Sequence, residues 1–165
     1  MPLFSPQLLS LAEAVVRAAA AKKMKIATAE SCTGGLISGA LTAVAGASDV
    51  FDRGFVVYSY AAKTDMLGVP RKAIIDRGAV SPEVAHAMAE GALENSDADI
   101  AVAVTGIAGP GGGTPEKPVG LVWLGCAMKG KIYTVKNNFS GDRSDVRLQT
   151  VETALDILKK EIEGA

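Results

Sequence analysis

The hexapeptide Asp99–Val104, DIAVAV, is bounded by a charge on one side and by the glycine-rich stretch Gly106–Gly113 on the other. After its first residue every side chain is apolar, and a strand sends successive side chains to opposite faces. Both faces must then be covered, as in a central strand of a sheet lying between helical layers. Helical periodicity before and after this strand predicts an α/β fold. We expect three α/β/α layers around a mixed, mainly parallel sheet that ends in an antiparallel hairpin.

The other elements follow from the same kind of pattern. Ser5-Pro6 reads as N-cap and first residue of a helix whose apolar positions run from Leu8 to Ala19 and stop at Lys22-Lys23. Lys25–Ala29 alternates as a strand, Glu30–Gly35 forms a tight turn, and Leu36, Ile37, Ala40 and Leu41 continue at helical spacing. Residues 54–60 (GFVVYSY) predict a strand, followed by a short helix over residues 61–67 closed by Gly68 and Pro70. Ser81-Pro82 opens another helix, residues 119–127 and 131–139 pair as a hairpin, and a closing helix spans about residues 142–161. Trp123 and Phe139 are expected in the core. With 165 residues, no repeat and no linker, residues 1–165 are read as a single domain.

Composition excludes several functions. Seventeen basic against eighteen acidic residues supply no positive field for a nucleic-acid backbone. Two cysteines and one histidine offer no zinc spacing or disulfide framework. Apolar stretches fall short of the ~18 residues of a membrane span and the N-terminus lacks a basic leader, which predicts a cytoplasmic protein without a membrane partner.

Three predicted strand ends carry small polar residues: 31–35, 58–63 and 105–113. If those strands are parallel, their loops converge where α/β sheets bind ligands. Ser31 beside the backbone amides of Thr33, Gly34 and Gly35 suggests acyl transfer with an oxyanion site, although Ser31 or Thr33 also suits a plain helix cap. A serine needs a base, and His86 shares a polar helix face with Glu83, Glu90 and Glu94, where it meets solvent. Lys63, five residues after Tyr58, is the remaining candidate, with a solvated surface lysine as the competing reading. Cys32 is the rival nucleophile. The glycine loop fits neither a phosphate-binding loop nor a dinucleotide fingerprint, yet lets backbone donors approach a ligand. Arg143 and Arg147 stand one turn apart at the start of the last helix, where an anionic ligand, or Asp142 and Asp145, would balance them.

Six ordered blocks carry a resemblance: Ala29-Glu30-Ser31-Cys32-Thr33-Gly34-Gly35, Tyr58-Ser59 with Lys63, Gly78-Ala79-Val80-Ser81, Thr105-Gly106-Ile107-Ala108-Gly109-Pro110, Lys117-Pro118-Val119-Gly120 and Phe139-Ser140-Gly141-Asp142-Arg143. Together they resemble the CinA C-terminal domain family across nearly the whole chain. The resemblance implies a nicotinamide-nucleotide amidohydrolase that converts nicotinamide mononucleotide to nicotinate mononucleotide and ammonia. It implies Ser31 as nucleophile, Lys63 as base and Tyr58 as a helper, a mechanism that calls for no metal and no cofactor. Substrate would be held by Thr33, Gly34, Gly35, Thr105, Gly106, Gly109 and, at the phosphate, Arg143. The expected partner is a small-molecule nucleotide, and a homo-oligomer is expected from the alanine-rich first helix and the hairpin edge. Where the family reads Tyr-Ser-Asn this chain has Tyr58-Ser59-Tyr60, which keeps a noncatalytic nucleotide-binding module as the alternative.

Overall fold

The computed structural model describes all 165 residues. In chain order the elements are α1 (Pro6–Lys22), β1 (Ile26–Glu30), α2 (Leu36–Thr42), β2 (Phe51–Val56), α3 (Tyr60–Leu67), α4 (Arg71–Arg77), α5 (Pro82–Glu94), β3 (Ile100–Gly106), β4 (Leu121–Met128), β5 (Lys131–Asn138) and α6 (Arg143–Glu163). The sheet runs β2-β1-β3-β4-β5. β1 is parallel to β2 and β3, whereas β4 is antiparallel to both β3 and β5. The expected mixed sheet with a terminal hairpin is therefore what forms.

The central strand divides its side chains by size. Ile100, Val102 and Val104 pack into a cluster with α1, α2 and α6, while Ala101 and Ala103 join Ala27 and Ala29 beneath α3, α4 and α5. Small side chains on that second face let α5 settle close to the sheet. A Cβ at Gly125 would stand 2.4 Å from the Ala85 carbonyl oxygen, and one at Gly91 would stand 2.0 Å from that of Leu67. Glycine is required at both points by close approach, not by backbone angle.

Three expectations change. The second strand covers Phe51–Val56 instead of residues 54–60, because its neighbour β1 ends at Glu30 and a strand without a partner has no ladder to continue. Pro70 does not only close a helix; it is the N-cap of α4, a short helix that the sequence pattern had not suggested. Trp123 is half-buried and the Lys136 ammonium lies 6.0 Å from its ring centroid, so the indole covers the sheet surface instead of filling the core, whereas Phe139, also half-buried, does pack against the larger core cluster.

Candidate active site

Parallel pairing brings the carboxyl ends of β1, β2 and β3 together, and pairing persists one residue beyond the strands. The Ser31 N–H donates to the Val104 carbonyl at 3.1 Å, and the Val57 N–H donates to the Glu30 carbonyl at 2.9 Å. Ser59 caps α3 through its side-chain oxygen, which accepts from the Ala62 N–H at 3.0 Å and starts the helix one turn before Lys63. The lysine thereby points back toward the strand ends.

Its amine meets the serine. Lys63 Nζ lies 2.9 Å from Ser31 Oγ and 3.0 Å from each of the carbonyl oxygens of Val57 and Tyr58. Lys63 is only 1% exposed, and no carboxylate pairs with it. Burial without a counter-ion disfavours the ammonium, lowering its pKa from 10.5 to about 8. A neutral amine has two N–H donors and one lone pair, and the two carbonyls can only accept. In the neutral state they take both hydrogens, which leaves the lone pair for the Ser31 hydroxyl. The solvated-lysine reading is excluded by this burial.

Cys32, next in sequence, turns into the core cluster beside α1 and α6 at 6% exposure. Burial pushes its thiol up to about 11, which opposes a thiolate, and Lys63 makes no hydrogen bond to it. His86 is exposed, 4.0 Å from the Glu90 carboxylate.

Ser31 and Lys63 open on a cleft of about 260 Å³, at the small end of small-molecule sites. Tyr58, Thr105, Gly106, Gly109 and Arg143 line it, as does Tyr60. The Thr105 hydroxyl donates to the Ala79 carbonyl at 2.8 Å, which leaves its lone pairs for a ligand. Arg143 bridges two walls, donating to the Gly109 carbonyl at 2.7 Å and to the Tyr58 phenol oxygen at 3.3 Å. The Tyr58 phenol is largely exposed, and the group of Tyr58 that reaches Lys63 is its carbonyl. No three His, Cys, Asp or Glu side chains gather as a set of metal ligands. No helix is long and apolar enough to cross a membrane.

Thr33, Gly34 and Gly35 are not brought into the cleft lining. The Gly34 N–H is engaged by the Ser31 carbonyl at 3.1 Å, and Thr33 is fully buried with its hydroxyl on Glu30. The N-terminus of α2 already has its anion. The buried Glu30 carboxylate accepts from Thr33 Oγ1 at 2.6 Å, the Ile37 N–H at 2.9 Å, the Ser38 N–H at 3.0 Å and Ser38 Oγ at 2.8 Å. Sequence reasoning missed this role, although a carboxylate closing an apolar strand just before a helix start was the available signal. The Cys32, Thr33 and Gly35 amides have no backbone acceptor, and of these three residues only Cys32, next to Ser31, lines the cleft. At α6, Asp142 and Asp145 cap each other reciprocally, so helix-end charge is balanced without a ligand.

The sequence profile of the CinA C-terminal domain matches residues 8–162. The chain belongs to this family. The competence/damage inducible protein CihA of Agrobacterium tumefaciens superimposes with a TM-score of 0.94 and 49% identity, over 96% of this chain and 97% of that one. A relative from Enterobacter agglomerans named nicotinamide-nucleotide amidohydrolase PncC is 54% identical over 153 residues, 88% of this chain and 93% of that protein. A CinA-like protein of Akkermansia muciniphila is also 54% identical, over 93% of this chain but only 37% of its own length. The chain thus spans little more than a third of some curated relatives and nearly all of another.

Proposed function

We propose that this member of the CinA family hydrolyses the carboxamide of nicotinamide mononucleotide, giving nicotinate mononucleotide and ammonia through Ser31 and Lys63. The observation that carries the reading is the buried Lys63 amine, bounded by two carbonyls and the Ser31 hydroxyl. The name of the Enterobacter agglomerans relative supports the substrate.

Neutral Lys63 takes the Ser31 proton as Oγ attacks the carboxamide carbon, and Cys32 N–H is the amide best situated to meet the oxyanion. As the tetrahedral intermediate collapses, the C–N bond breaks and the lysine proton leaves with the nitrogen as ammonia. Lys63, neutral again, deprotonates water, which attacks the ester, releases the carboxylate and returns a proton to Ser31 Oγ. The cleft takes the ring and carboxamide, while the ribose phosphate extends to the rim at Arg143. The Tyr58 carbonyl helps hold the base, and its phenol orients Arg143. Thr105, Gly106 and Gly109 shape the wall. The same reading makes the protein a cytoplasmic homo-oligomer acting on a small nucleotide, not on nucleic acid or membrane.

Ammonia release from nicotinamide mononucleotide by the intact protein is the test. Turnover that disappears in Ser31→Ala supports the reading. Stoichiometric binding by calorimetry with no ammonia over many hours would instead make this a noncatalytic nucleotide-binding module, the alternative that Tyr60 keeps open.

A further inference from the structure

Arg147 sits in the second turn of α6 and does not line the cleft. It has no carboxylate partner, and the helix dipole opposes a positive charge near this end. Its half-buried side chain instead crosses to the Ser31 turn. Nε donates to the Cys32 carbonyl at 3.0 Å and Nη2 to the Thr33 carbonyl at 3.2 Å.

A trans peptide unit is planar, so a carbonyl held on one side fixes the following N–H on the other. The Gly34 N–H on the Ser31 carbonyl fixes the first peptide of the turn, at 3.1 Å. Arg147 fixes the second and assists the third, whose carbonyl also accepts from the Leu36 N–H. Of the groups holding these three carbonyls, Gly34 belongs to the turn and Leu36 opens the helix that follows it, so only Arg147 comes from a distant part of the chain. A lysine could not replace it, because one ammonium on a flexible stem lacks the planar fork that reaches two carbonyls together.

We infer that Arg147 is a positioning residue for Ser31: by holding the Cys32 and Thr33 carbonyls it keeps the serine hydroxyl on the Lys63 amine. The inference rests on the Ser31–Lys63 reading of the site. It adds a residue that touches neither substrate nor reacting atoms, 116 positions downstream of Ser31.

A fluorophosphonate probe separates the two. Ser31 Oγ displaces fluoride from its phosphorus, forming the P–O bond as Lys63 takes the proton, and no nucleotide is needed. Arg147→Lys and Arg147→Gln should slow Ser31 labelling by about 10- to 100-fold, the scale of a reacting group displaced by a fraction of its reach. The pH at which labelling rises should stay in place, since Lys63 is untouched. With nicotinamide mononucleotide, kcat should fall by a similar factor while KM changes little, and millimolar guanidinium should restore part of the labelling rate in Arg147→Ala. Labelling of folded Arg147→Gln at the wild-type rate, even with a lowered Tm, would leave Arg147 a merely structural role and overturn the inference. If Arg147→Gln does not fold, Arg147→Lys decides by the same rate. Wild-type labelling without ammonia release would remove the substrate and leave the positioning role standing, whereas an unlabelled wild-type Ser31 would remove both.

Discussion

Ser31 and Cys32 are adjacent, yet only Ser31 Oγ lies within hydrogen-bonding reach of Lys63 Nζ, at 2.9 Å, while the thiol turns into the core. The turn that separates them decides which side chain can lose a proton to the amine. Ser31→Ala should lower ammonia release from nicotinamide mononucleotide by about 10³-fold or more, as for loss of a nucleophile elsewhere. Cys32→Ala should keep turnover within about tenfold of wild type. Loss of activity in Cys32→Ala with activity intact in Ser31→Ala would reverse the assignment.

Lys63 should be a stability liability at neutral pH. Its pKa falls from 10.5 in the unfolded chain to about 8 in the fold, so the unfolded state binds more protons between those values and stability rises with pH across that window. Below about 8 the cost of burying the ammonium is fully present. Relative to Lys63→Met, whose side chain does not titrate, wild type should therefore gain stability in urea as pH rises from 7 toward 10, by roughly 3 kcal/mol at most. Equal pH slopes in the two proteins would contradict it.

Glu30 should be needed for folding stability. It is fully buried and accepts four hydrogen bonds at the start of α2. Glu30→Ala orphans the Ile37 and Ser38 amides and the Thr33 hydroxyl, at a cost of about 3 kcal/mol or more. At about 2–4 °C per kcal/mol for a chain of this size, thermal unfolding followed by circular dichroism should shift down by roughly 10 °C. Glu30→Gln should also destabilise, because its NH2 must face amide donors.

Gly91→Ala reverses an ordinary expectation. In an exposed helix interior it would stabilise by about 1 kcal/mol. Here the new methyl would meet the Leu67 carbonyl oxygen at 2.0 Å, forcing α5 away from α3. We expect a loss of about 1–3 kcal/mol in denaturant unfolding, and a gain would show that α5 does not sit this close.

The strand, turn and helix over residues 25–41 were readable because apolar periodicity changes from two to about 3.6 at a pair of glycines. Convergence of the three loops followed from parallel strands, and it put Ser31 and Lys63 on one short list. What periodicity cannot supply is the partner of a polar side chain across space. Arg147 meets carbonyls more than a hundred residues away, and Glu30 closes a strand in a way that resembles any surface acid. For the same reason periodicity could not show that, of the turn amides, Gly34 is already engaged within the turn. Strand β2 ended early because its length depends on β1, and α4 was missed because seven residues give too few periods to recognise.

The pH dependence of kcat/KM for nicotinamide mononucleotide tests the Lys63 base most directly. A buried amine titrating at about 8 predicts a rate that climbs with pH and levels off above that value. In Lys63→Arg, whose guanidinium cannot release its proton, the residual rate should be small and should lack that break. Substantial turnover by Lys63→Arg with the break still at the same pH would show that another group takes the Ser31 proton.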